Sequence, residues 1–144
     1  MLARLILETE IMSINVAKLT GALQQFVGSV ANVQAAAVVS PDGLALASCL
    51  MPGMDEERVS AMAAALLSLS ERIGRELNRG AIERVWVEGS LGYGIITNCT
   101  DDAVLLVLAD RQAKMGVINL EVKNVVSCLQ EFLTSSGNTL AMSS

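Results

Sequence analysis

Residues 104–109, Val-Leu-Leu-Val-Leu-Ala, form an apolar run with no polar alternation. A strand that is apolar on both sides needs cover on both faces, so this run predicts a central strand with a layer of structure above and below it. The rest of the chain has to supply neighbouring strands and covering helices.

Strand-like segments occur at 35–39, 44–50, 82–88 and 93–100. Ser40-Pro41-Asp42-Gly43 joins the first two as a hairpin turn, in which Pro41 pre-sets φ and Gly43 can take a positive φ. Gly89-Ser90-Leu91-Gly92 and Thr100-Asp101-Asp102 separate the later strands with turn residues. Three segments follow helical periodicity. In 14–30, Val16, Leu19, Leu23, Phe26, Val27 and Val30 recur at steps of mostly three and four, and Asn32 marks the end. The second helix opens with Asp55 as N-cap and Glu56 and Glu57 in its first turn, and runs to Asn78-Arg79-Gly80, where Gly80 is placed to adopt the left-handed conformation. A third helix over 114–133 carries Ile118, Val122, Val125, Val126, Leu129 and Phe132 on one face. The predicted order is α-β-β-α-β-β-β-α. This is an α+β, three-layer α/β/α domain on a five-stranded, mostly antiparallel sheet.

The long middle helix has two apolar sets. Val59, Met62, Leu66, Leu69, Ile73 and Leu77 make its main stripe, while Ala61, Ala64, Ala65 and Ser68 leave its middle uncharged all round. A helix apolar on every side is buried on more than one side. Composition agrees: of 144 residues 52% are hydrophobic but only 3% aromatic, and mean hydropathy is +0.50. A membrane span takes roughly 20 consecutive apolar residues, and the longest uncharged apolar stretches, 59–70 and 103–109, are shorter. Burial against a second subunit is the expected outlet, with the small residues allowing two copies of this helix to approach closely.

The same reading excludes several functions. The chain has no histidine, which removes Ser-His-Asp and Cys-His catalysis and the commonest zinc ligand. A net charge of −5 with scattered Lys and Arg argues against nucleic acid. Cys49, Cys99 and Cys128 lack an activating partner and a disulfide framework, so they are expected as reduced packing residues in a cytoplasmic protein. Gly89-Ser90-Leu91-Gly92-Tyr93-Gly94 is followed by a strand and not a helix, so it reads as a hairpin turn and not a phosphate loop. Asp101 with Asp102, and Glu56 with Glu57, are too few ligands for a metal. No cofactor and no catalytic residue is expected. Arg58, Arg72, Arg75 and Arg79 lie on the middle helix; an arginine finger is one role for them, and exposed pairs such as Glu71 with Arg75 are another. Residues 1–12 read as an N-terminal extension, 13–134 as the domain and 135–144 as a flexible tail.

The order of elements, the VVSPDGLALAS hairpin, the helix opened by MDEERVSAMAAALLSLSERIG and the strands of ERVWVEGSLGYGIITNCTDDAVLLVLAD resemble the roadblock family of dynein light chains and GTPase regulators, a profilin-like fold. The resemblance spans roughly 18–133. It implies a homodimer in which the middle helix and the following strand pair across a two-fold axis. On the helix this maps to Val59, Ala61, Met62, Ala65, Leu66, Ser68 and Leu69, and on the strand to Ile82, Arg84 and Trp86. It further implies a noncatalytic platform for a Ras-like small GTPase, with Arg58, Arg72 and Arg75 as candidate partner contacts. The rival expectations are a structural adaptor of a motor or scaffold complex, binding without regard to nucleotide, and a small-ligand sensor or enzyme, which would need a polar-lined pocket.

Overall fold

The computed structural model describes residues 1–142, and side chains at all of these except 9–14 and 134–142. Helix α1 spans Leu2–Ser29, well before the expected start at 14. Its opening residues are largely good helix formers without Pro or Gly, and Arg4 pairs with Glu8 one turn on at 3.0 Å. After α1, Asn32 takes a positive φ of 71° and its carbonyl accepts from the Asp110 amide at 2.8 Å, which turns the chain into the sheet.

Strands β1 (Val33–Val39) and β2 (Ala45–Cys49) form the expected hairpin. Gly43 has φ +90°, its amide donates to the Ser40 carbonyl at 3.0 Å, and the Ser40 hydroxyl accepts from the Leu44 amide at 3.1 Å. Helix α2 spans Glu56–Glu76 and is capped by the Asp55 carboxylate, which accepts from the amides of Glu57 and Arg58. Ser48 on β2 donates to Glu56, tying the start of α2 to the sheet edge. At the other end Asn78, with φ 55°, is the first residue in the left-handed conformation; Gly80 follows with φ +86°, and the amides of Arg79 and Gly80 both donate to the Gly74 carbonyl. The expected stop at Gly80 is therefore shared with Asn78, which tolerates positive φ better than most side chains.

Strands β3 (Arg84–Glu88), β4 (Gly92–Thr100) and β5 (Ala103–Asp110) follow, and α3 spans Met115–Met142. Helix α3 continues past Leu133 through Thr134, Ser135, Ser136 and Gly137, with no proline to interrupt it. Of the tail expected to be flexible, 143 and 144 lie outside the described residues.

The sheet order is β2-β1-β5-β4-β3 and every neighbouring pair is antiparallel. The run at 104–109 is the middle strand, as its unbroken apolarity required. On one face α1 and α3 close a core in which Leu23, Leu129, Ile118 and Val122 pack on Val38, Ile95, Leu105 and Val107. On the other, α2 alone covers Ala37, Val39, Ile96, Val104 and Leu106 with Ala63 and Leu67. The result is the predicted three-layer α+β architecture.

Candidate protein-docking face

The orientation of α2 decides what the second face can do. Ser60, Ala63, Ala64, Leu67 and Gly74 point at the sheet, while Met62, Leu69, Ile73 and Leu77 are 47–62% exposed. This overturns the expected role of Ala64, which packs inside its own chain and is unavailable to a second helix. The physical reason is distance. A Cβ built at Gly43 would lie 3.3 Å from the Ala61 Cα, so α2 rides so close to the β1–β2 turn that its inward positions take small side chains. The large ones are displaced to the outside.

Helix α2 lies over β1, β2 and part of β4, and leaves the β3 side of the sheet open. A groove of about 710 Å³ results. Val59, Met62 and Leu66 form one wall, Val87 and Leu91 of the β3–β4 hairpin the other, and Ile96, Leu106 and Leu108 the floor. Gly94 keeps the floor low, because it shares the face of Ile96 and brings no side chain to it, while at Gly92 a Cβ would lie 2.5 Å from the Ala109 carbonyl oxygen of β5. Asp55 and Arg58 are its charged rim, and the Asp55 carboxylate is already engaged as the α2 cap.

Of the expected interface residues, the structure brings Val59, Met62 and Leu66 into this groove, with Ala65, Leu69, Ala61 and Ser68 exposed further around α2. Ile82 is half-buried beneath α2. Arg84 and Trp86 are also half-buried, but on the opposite face, since their cross-strand partners Thr97 and Ile95 point toward α1 and α3. Arg58 lines the groove, Arg75 is exposed, and Arg72 is held by Glu76 at 2.9 Å, one residue on from the expected Glu71 and Arg75 pair. The sequence reading missed Val87 and Leu91. Their signal was the alternate glycines 92 and 94, which mark a strand whose backbone is meant to be approached.

Cys99 is buried, which pushes its thiol up to about 12. Among the described residues no group of three or more His, Cys, Asp or Glu is placed to hold a metal, and no helix is long and apolar enough to cross a membrane. A wide apolar groove beside an apolar helix stripe is suited to receiving another protein surface.

The sequence profile of the Roadblock/LC7 domain matches residues 19–109. The chain belongs to the Roadblock/LC7 domain family. An uncharacterized protein of Methanocaldococcus jannaschii is 33% identical over 91 residues, 63% of this chain and 79% of that protein. Among solved structures, a Roadblock/LC7 domain from Streptomyces avermitilis superposes with a TM-score of 0.74 at 23% identity, covering 80% of this chain and 97% of its own. Myxococcus xanthus MglB superposes with a TM-score of 0.77 at 16% identity, covering 84% and 91%. These likenesses establish the roadblock fold.

Proposed function

We propose that this roadblock domain is a noncatalytic homodimeric platform that binds and regulates a Ras-like small GTPase. The observation that carries the reading is the unequal cover of the sheet, which leaves Met62, Val87 and Leu91 exposed at one groove and Leu69, Ile73 and Leu77 exposed further along α2. Burying four such side chains per subunit contributes roughly 1.5–3 kcal/mol each, which competes with an association cost of about 4–15 kcal/mol. A second copy brings an equally apolar surface, because a two-fold axis presents the same patch twice. The three free cysteines fit a reducing, cytoplasmic setting.

The GTPase enters from family resemblance. The absence of histidine and of a Walker A lysine motif supports a platform that hydrolyses nothing itself. Such a platform acts by differential binding: preferring one nucleotide state shifts its partner toward that state. Arg58, Arg72 and Arg75 are the candidate contacts. The test is binding of the purified chain to Ras-like GTPases of the same genome, each loaded with GDP or a GTP analogue. A clear state preference is expected. Equal binding in both states would replace regulation with nucleotide-independent adaptor function.

A further inference from the structure

The face of the sheet opposite the docking groove carries a second concavity. Helix α3 packs over β4 and leaves β3, the last strand of the sheet, at the margin of this face. Arg84 on β3 and Thr97 on β4 are direct cross-strand partners, so both side chains point to the α3 side. Lys123, Val126, Ser127 and Gln130 lie three and four residues apart along one side of α3. Between the strand and the helix these residues border a cleft of about 350 Å³, to which Val122 and Val126 give an apolar wall.

We propose that this cleft binds a small organic carboxylate, held by Arg84 and Lys123 with its alkyl part against Val122 and Val126. The site is separate from the docking face and does not depend on what that face receives. Charge is the first reason. The chain carries a net charge of −5, yet the cleft is bordered by two cations and no acid. Arg4, Arg72 and Arg111 each pair with a glutamate, whereas neither Arg84 nor Lys123 has an ion pair among the described residues. Burial is the second. The Arg84 Nε is shielded from solvent and meets no acceptor among the described residues. A buried charged donor left without an acceptor is unfavourable, and an oxyanion that reached it would relieve that penalty.

The donors that are still free select the class of anion. The Thr97 hydroxyl donates to the Glu83 carbonyl at 2.8 Å, the Ser127 hydroxyl to the Lys123 carbonyl at 3.2 Å, and the Gln130 amide to the Cys99 carbonyl at 2.7 Å. The uncommitted donors are chiefly the guanidinium edge of Arg84 and the Lys123 ammonium. The two oxygens of a carboxylate match a guanidinium edge as a bidentate pair, while a phosphate would bring further oxygens that this cleft does not serve. Size agrees, because about 350 Å³ admits a molecule of a few carbon atoms but no helix or strand of a partner chain.

The experiment is a titration of the full, isotope-labelled chain with sodium butyrate, followed by NMR at the Arg84 Nε–H and at the amides of Thr97 and Ser127. Butyramide, inorganic phosphate and sodium chloride at matched ionic strength are the comparison ligands. Butyrate is expected to give saturable shifts confined to the cleft, and butyramide none. Arg84→Gln is expected to weaken butyrate binding by about tenfold or more. Lys123 is exposed, so Lys123→Gln leaves folding intact and is expected to weaken binding by about twofold to fivefold, which keeps the test decisive if Arg84→Gln fails to fold. Silence at the cleft, shifts that chloride or butyramide reproduces, or undiminished binding in the folded variants overturns the site. Phosphate binding as tight as that of butyrate overturns the choice of a carboxylate. A response in Ala65→Glu, the variant designed to be monomeric, but not in the wild type would show that a neighbouring chain already fills the cleft, and overturns a free ligand. Each of these results leaves the docking reading of the other face where it stands.

Discussion

The two faces of this sheet are made from the same five strands but are finished differently. Toward α1 and α3, Leu23, Leu105, Ile118 and Leu129 are sealed from solvent and the core closes within one chain. Toward α2, one helix with a small-residue inner side covers part of the sheet and turns its large side chains outward. Two helices on one face and one on the other is an arithmetic that leaves apolar area over. Both faces hold a buried core, but only the second leaves a continuous apolar surface beside it, and under the proposed function that surface is the one that joins a partner.

Thiol chemistry gives the widest contrast. Cys99 lies in the sealed core with its thiol pushed up to about 12, while Cys128 is exposed on α3. At pH 8 a folded sample is expected to label at Cys128 first, with Cys99 slower by at least about a thousandfold, because burial suppresses both the thiolate and reagent access. Comparable labelling rates would break the claim that this face is closed. The next largest effect is in stability. Leu105→Ala removes a fully buried side chain from the middle strand and is expected to cost about 2–5 kcal/mol in urea unfolding, at any protein concentration.

On the second face the same sort of change is expected to act on association and not on folding. Ala65 is exposed on the outer side of α2, near the Met62 and Leu69 stripe, so Ala65→Glu inserts a charge into the proposed interface. The variant is expected to sediment as a monomer at concentrations where the wild type self-associates. Its monomer unfolding free energy should stay within about 0.5 kcal/mol of the parent, as for other surface changes. If it unfolds early, α2 is holding the sheet rather than waiting for a partner.

How far these differences were legible follows from what pattern alone encodes. The hairpin was readable because Pro41 and Gly43 impose a backbone conformation directly, and the middle strand because 104–109 cannot alternate. The position of α2 was readable from Asp55 and the Glu pair behind it. Its rotation was not. A helix with large residues on one side and small ones on the other has two candidate inner faces, and the close approach of Gly43 to Ala61 chooses the small one. That contact joins a turn to a helix eighteen positions away, beyond the reach of any local period. The early start of α1 was missed for the opposite reason: residues 2–13 are helix-compatible, but judged as an extension they offered no core-facing stripe to count.

The N-terminus of α2 offers the finest test of the comparison, because it touches the groove without forming either core. Asp55 caps the helix through the amides of Glu57 and Arg58, and together with Arg58 it edges the groove. Asp55→Ala removes the acceptor for these amides and is expected to cost about 1 kcal/mol of stability. Hydrogen exchange tells the two faces apart: fraying from this cap should speed exchange in the first turn of α2 and leave the amides of β5 unchanged. Faster exchange in β5 as well would mean that α2 and the middle strand open together, so that a partner seated in the groove would stabilise the whole domain and not only its outer face.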